Sequence, residues 1–186
     1  MLRRKAEAIA LLQRLQDLSR TAHAKAETPD GAIAAVQWSG IGFRAGAARF
    51  IAPLPQIAEV LPYPALTRVP GARPWVKGVA NVRGNLVTIV DLPEFFGGAP
   101  VERDLRSRLI VINLPDVYCA VLVNEVLGMR QFDEEADAEI PANGTNPASG
   151  PIPGIANRQF RREGVLWQEY DFRKLVASPG FQDVAA

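Results

Sequence analysis

Apolar positions in this chain fall into two rhythms. Over residues 3–26, Leu11, Leu15, Leu18 and Ala22 recur at intervals of four, three and four, with Leu12 beside them. That spacing gathers side chains on one stripe and predicts an amphipathic helix, suited to packing on its own domain or to docking on a partner helix. Thr28-Pro29-Asp30-Gly31 ends the pattern, because Pro and Gly both oppose continuation, and a linker runs to residue 37. From Trp38 the apolar runs become short and are punctuated by Gly and Pro, the rhythm of an all-β domain. They predict strands near 40–45, 48–52, 57–61, 76–80, 86–90, 108–114, 118–124, 126–131 and 165–170, with helical turns at 53–56, 92–96 and 171–177. Pro115-Asp116-Val117 is placed to turn one hairpin. So many short strands overfill one flat sheet, and closure into small barrels removes their edges.

The densest information lies between Gly78 and Gly97. Leu86, Val87, Ile89 and Val90 nearly fill their run, which predicts a strand covered on both faces. Ahead of it, Asn81-Val82-Arg83-Gly84 reads as a turn in which Gly84 takes a positive φ and Arg83 holds its guanidinium outward. Behind it, Asp91 reads as a helix N-cap, followed by Pro93, by Glu94 three residues after the cap and by Gly97 as a stop. In this reading Arg83 either donates to a partner's carboxylate or pins its own loop, through nearby carbonyls or Asp91.

Composition narrows the function. With 186 residues the chain can bury roughly 70% of its unfolded surface and fold without staples. Its 21 Lys and Arg against 20 Asp and Glu leave a net charge of +1, so no global field favours nucleic acid or anionic lipid. The single Cys119, inside Val117–Val123, is expected to be a buried small hydrophobe rather than a nucleophile. Met1-Leu2-Arg3-Arg4-Lys5 lacks a following apolar stretch, so no signal peptide is expected, no window is long and apolar enough for a membrane span, and a cytoplasmic location follows. His23 and Cys119 lie far apart, and no nucleophile and base pair emerges. Gly40-Ile41-Gly42-Phe43-Arg44-Ala45-Gly46 has the wrong spacing for a phosphate loop, and Asp133-Glu134-Glu135-Ala136-Asp137-Ala138-Glu139 lacks the interleaved Gly of a calcium loop and reads as a solvated face. Residues 141–151, rich in Pro, Gly and Asn, read as a loop. Arg103, Arg106 and Arg108, and Arg158, Arg161 and Arg162, form basic clusters, but Phe160 is the one aromatic interleaved with them, a thin basis for binding single strands. No catalytic residue, metal site or cofactor is expected.

The ordered blocks Ile57-Ala58-Glu59-Val60, Thr67-Arg68-Val69-Pro70, Val76–Gly84, Val90-Asp91-Leu92, Phe96-Gly97, Leu109–Ile112, Val121–Val126 and Trp167–Asp171 resemble the CheW-like family of chemotaxis coupling proteins. The resemblance implies a mainly β fold of two small five-stranded SH3-like barrels packed over a shared core, here over 38–177, preceded by the helix and linker of 1–37 and followed by a tail at 178–186. It implies a non-enzymatic scaffold joining the cytoplasmic tip of a methyl-accepting chemoreceptor to the regulatory domain of a CheA-type histidine kinase, with the membrane reached through the receptor alone. It places Ile57, Glu59, Asn81, Arg83 and Gly84 on the first barrel's partner-binding surface, with Ile57 and Glu59 expected at an edge while the Arg83 turn faces elsewhere. In the second-barrel Val-Asp-x-Val block this chain has Asn124, so no charge contact is expected there. The preceding helix, the Trp38–Phe43 entry and the Pro74-Trp75 pair are similar to family members serving type IV pilus twitching motility. A nucleic-acid-binding small barrel and an enzyme with an unrecognised site are the alternatives.

Overall fold

The computed structural model describes residues 37–133, 138–140 and 156–185; the helix expected at 3–26 and the loop at 141–151 lie outside them. Eleven strands are present: β1 (Gln37–Ala45), β2 (Ala48–Pro53), β3 (Ile57–Pro62), β4 (Val76–Val82), β5 (Asn85–Asp91), β6 (Arg108–Ile112), β7 (Cys119–Val123), β8 (Glu125–Asp133), β9 (Ala138–Ile140), β10 (Ala156–Arg162) and β11 (Val165–Tyr170). A 3-10 turn (Leu54–Gln56) and three short helices, α1 (Leu92–Phe95), α2 (Phe172–Ala177) and α3 (Pro179–Gln182), complete them. The expected strands are all there, and β9 and β10 are additional. β10 escaped notice because Phe160 is the one large apolar side chain in Ala-Asn-Arg-Gln-Phe-Arg-Arg; Arg158 and Arg162 share its face, their guanidinium groups lying over the rings of Phe160 and Phe132. β9 falls inside the run expected to be a solvated acidic face.

The strands form two sheets. One runs β8-β1-β2-β11-β10-β9 and carries, in three-residue β9, a sixth strand beyond the expected five; the other runs β3-β6-β7-β5-β4. Pairing is antiparallel except for β2 with β11 and β5 with β7. The first sheet takes strands from both ends of the domain, and the second is a continuous stretch inserted between them. Period-two alternation then sorts side chains into three cores. Ile51, Phe132, Phe160 and Trp167 fill the first barrel, while Ile89, Leu109, Val111, Ala120 and Leu122 help fill the second. Their sequence neighbours Phe50, Ala52, Val90, Ile110, Ile112, Cys119, Val121 and Val123 point the other way, into one cluster with Phe43, Tyr170 and Phe172 that both sheets share. Near-continuous apolar runs are thus required, because β5, β6 and β7 have a core on each side.

Polar side chains tie the units together. Gln56, buried after β2, donates from Nε2 to Asp171 Oδ1 at 3.0 Å and accepts the Phe172 N–H at 2.8 Å, while Asp171 also caps α2 at the Arg173 N–H. Asp91 caps α1 as expected, accepting from Glu94 N at 3.1 Å and Val101 N at 2.8 Å. The stretch read as a tail carries α3, whose buried Phe181 stacks on Trp75 at 6.0 Å and meets Phe95 edge-on.

The outer edge of β4 is covered by a strap. Thr67 and Val79 exchange both backbone hydrogen bonds, at 2.9 and 2.8 Å, which leaves that edge closed to other chains. Gly78 permits the approach: its φ is +140°, and a Cβ there would sit 2.3 Å from Thr67 O. Gly78→Ala is therefore expected to cost at least about 2 kcal/mol, through backbone strain and loss of the strap. A urea denaturation midpoint equal to that of the unsubstituted protein would show that the strap carries no stability.

Candidate functional site

The β4–β5 hairpin turns in two residues, with Val82 facing Asn85 across it. Arg83 and Gly84 have φ of +51° and +89°, the mirror-image turn whose twist matches that of the strands it joins. Gly84 suits this geometry; arginine at a positive φ is uncommon and costs of order 1 kcal/mol. Asn81 secures the turn by accepting the Gly84 N–H at 2.8 Å. The strained residue is consequently fixed in direction, and its guanidinium reaches across to β3, where Arg83 Nη2 lies 2.7 Å from Glu59 Oε2. β3 and β4 are the two edges of the second sheet, so the ion pair marks how far that sheet has curled.

Four of the five expected residues, Glu59, Asn81, Arg83 and Gly84, thus meet at one corner. In chain topology that corner belongs to the second barrel rather than to the first, where they were expected, because β1 and β2 pair with strands from the far end of the domain. Ile57 and Glu59 were expected to lie apart from the Arg83 turn, and the Glu59 contact overturns that. Ile57 differs from expectation in another way: it faces Ile112 across the ladder and packs against the shared core, so most of its apolar surface is already used. The corner's exposed apolar residue is Leu86, opposite Asn81 and 68% accessible. Leu86 was concealed inside an apolar run. The signal that could have found it is its phase, because Val87 and Ile89 point into the barrel and Leu86 shares its side with polar Thr88. Farther along, the same side of β5 carries Val90 into the shared core, so that side is buried at one end and bare at the other.

Charge is unevenly screened here. Arg83 is 80% exposed while Glu59 is only 17% exposed, leaving most of the guanidinium's donors free toward solvent. Asp91, the alternative partner for Arg83, is engaged elsewhere, 3.6 Å from Lys77 Nζ and holding two backbone N–H groups. Burial pushes its carboxyl above the ordinary aspartate range, opposed by those two N–H donors and by Lys77. Asn124 is likewise structural. It sits at the crossing from β7 to β8, between the sheets rather than within a second barrel, and accepts the Gly46 N–H at 2.7 Å. Cys119 is buried in the shared core, as expected, and burial pushes its thiol up to about 12, far from a thiolate at neutral pH. Gly40 and Gly42 make room for Ile51, the Ala52 backbone and Trp167, which accounts for the glycine pattern of β1 by packing.

Two β-barrels fused through one core, with a rigid corner that offers a cation, a shielded carboxylate and an uncovered leucine, have the features of a protein-docking module. Comparison with known proteins gives that module its family: residues 39–178 match the CheW-like domain, and the chain belongs to the CheW-like family of chemosensory scaffolds. It is 38% identical over 149 residues to Protein PilI of Pseudomonas aeruginosa, covering 80% of each chain. It is 28% identical over 160 residues to Protein FrzA of Myxococcus xanthus, covering 84% of this chain and 98% of that one. The scaffolding protein TtCheW from Thermoanaerobacter tengcongensis has the same fold, with a TM-score of 0.66 at 17% identity over 78% of this chain and 96% of that one. No helix among the described residues is long and apolar enough to cross a membrane.

Because Arg83 is so exposed, its pair with Glu59 is expected to contribute less than about 1 kcal/mol to the fold. A double-mutant cycle of Glu59→Ala and Arg83→Ala in urea tests this; a coupling energy of several kcal/mol would make the pair a structural clamp instead.

Proposed function

We propose that this protein couples the cytoplasmic tip of a methyl-accepting chemoreceptor to the regulatory domain of a CheA-type histidine kinase, in the chemosensory control of type IV pilus twitching motility. It acts in the cytoplasm as a scaffold without catalysis of its own and reaches the membrane through the receptor. The observation that carries this reading is the Glu59–Arg83 pair beside Leu86 on a CheW-like frame. The pilus assignment draws on the Trp38 entry, the Pro74-Trp75 pair and the identity to PilI.

The corner suits such a role physically. The two-residue turn fixes the Arg83 backbone and Glu59 biases the direction of its guanidinium, so less side-chain entropy remains to be lost when a partner's carboxylate takes the outward donors. Leu86 supplies the apolar contact that excludes water and strengthens the charge pairing beside it. Ile57 and Asn81 act from behind, as wall and brace. Residues 1–37, with their leucine stripe, are assigned to docking or orientation around the CheW-like domain.

Arg83→Glu is expected to weaken capture of the kinase or receptor fragment more than tenfold, about 1.4 kcal/mol, because a partner carboxylate would then meet a like charge. Leu86→Ser should weaken the same interaction while leaving the thermal melt unchanged. Pull-down with a CheA-type kinase and a receptor fragment, beside melts of each variant, decides the matter; undiminished capture by folded Arg83→Glu and Leu86→Ser variants would remove this corner from the interface.

A further inference from the structure

The first barrel's aromatic interior is open at one end. A groove of about 520 Å³ there has Trp167 and Phe132 beneath it and Arg49, Arg130 and Arg162 around it. Gly42 leaves the space: a Cβ at that position would lie 2.9 Å from the Trp167 ring and 3.3 Å from Arg130 Cγ. Two of the cations are seated on rings, Arg130 at 5.9 Å from the Trp167 centroid and Arg162 at 5.7 Å from that of Phe132. Among the described residues, the groove's three guanidinium groups face one carboxylate, Glu163, at the β10–β11 turn. Arg49 and Arg130 make no ion pair among the described residues. In the second basic groove Arg68 and Arg103 likewise make no ion pair among the described residues, but half of its cations are neutralised, Arg73 by Asp183 and Lys77 by Asp91 and Glu94.

We propose that this vestibule docks an acidic segment of another protein, one with at least two carboxylates spaced around an apolar side chain. Guanidinium forks match carboxylates in a planar, two-bond geometry, and ring-seated arginines lose less freedom on binding than freely mobile ones. Met129, on the rim and 62% exposed, offers an adaptable apolar contact between the cations. The positive charge of Arg49 and Arg130 in a concave site also speeds the approach of an acidic partner. Single-stranded nucleic acid fits less well, since bases need aromatic faces to stack on. Phe132 and Trp167 are only 1% and 6% exposed, with guanidinium groups already over them. The vestibule belongs to the first sheet and the Arg83 corner to the second, so the two surfaces stand or fall separately.

The test uses the full-length protein and fluorescence anisotropy. Probes are a fluorescein-labelled peptide of alternating glutamate pairs and leucines, its glutamine counterpart, and a labelled twelve-nucleotide oligothymidylate. The glutamate peptide is expected to bind saturably and to weaken with added salt, with the glutamine peptide at least tenfold weaker. Arg49→Glu combined with Arg130→Glu should reduce affinity at least tenfold, while Lys174→Glu, an exposed cation off the groove, should change it less than twofold. Should charge reversal unfold the barrel, Arg49→Gln with Arg130→Gln replaces it, checked by its melt, and at least a threefold loss is expected. Absence of saturable peptide binding, equal loss with Lys174→Glu, undiminished binding by the folded glutamine variant, or tighter binding of the oligonucleotide would each overturn the proposal.

Discussion

Barrels of this size have only marginal cores of their own, and one arrangement governs the molecule: each gives up part of its outer wall to a core that both share. The shared layer holds several of the largest fully buried side chains, Tyr170, Phe43, Phe50 and Phe172. Their rings meet at 5.2 to 5.8 Å along Phe43–Phe50, Phe43–Tyr170, Phe50–Tyr170 and Tyr170–Phe172, distances favourable for aromatic pairs. Against them lie the aliphatic side chains of β6 and β7. Among the described residues the Tyr170 hydroxyl, buried within this layer, has no hydrogen-bond partner.

Everything polar has been moved to the margins of that layer, where it serves geometry. Gln56 and Asp171 fasten the end of β2 to the start of α2, and Asp91 fastens the end of β5 to α1 and to Val101. With β5 anchored at its Asp91 end, its other end projects beyond the shared layer and carries the Arg83 hairpin with it. Four residues of strand, roughly 13 Å, separate buried Val90 from bare Leu86. The corner proposed for docking is therefore built on strand and a two-residue turn, with little backbone freedom to lose.

Much of this was legible in the sequence. Short apolar runs between Gly and Pro located nine strands, Asp91-x-Pro93-Glu94 marked a capped helix, and Asn81-Val82-Arg83-Gly84 marked the turn. What the sequence hid has particular causes. β10 reads as polar because its arginines cover aromatic rings of the barrel with their own flat faces, so a strand with one large apolar residue is still half buried. The meeting of Glu59 with Arg83 depends on how tightly the sheet curls, and no local pattern reports curl. That Leu86 is bare while Ile57 is half-buried was hidden because an apolar run does not reveal where the neighbouring barrel ends. The CheW-like blocks supplied the expected partner surface, and the fold supplied the contacts among its residues.

The order of strands also sets an order in time. β3 to β7 are contiguous, so the second sheet can pair as soon as residues 57–123 have left the ribosome. The first sheet must wait, because β2 pairs in parallel with β11, joining Phe50 to Gln168 across nearly the whole domain. Contacts of such long range close slowly, and until they do β1 and β2 have the second barrel and β8 to pack against. The inserted barrel thus offers the early strands an apolar surface, the future shared core, before the last hairpin arrives.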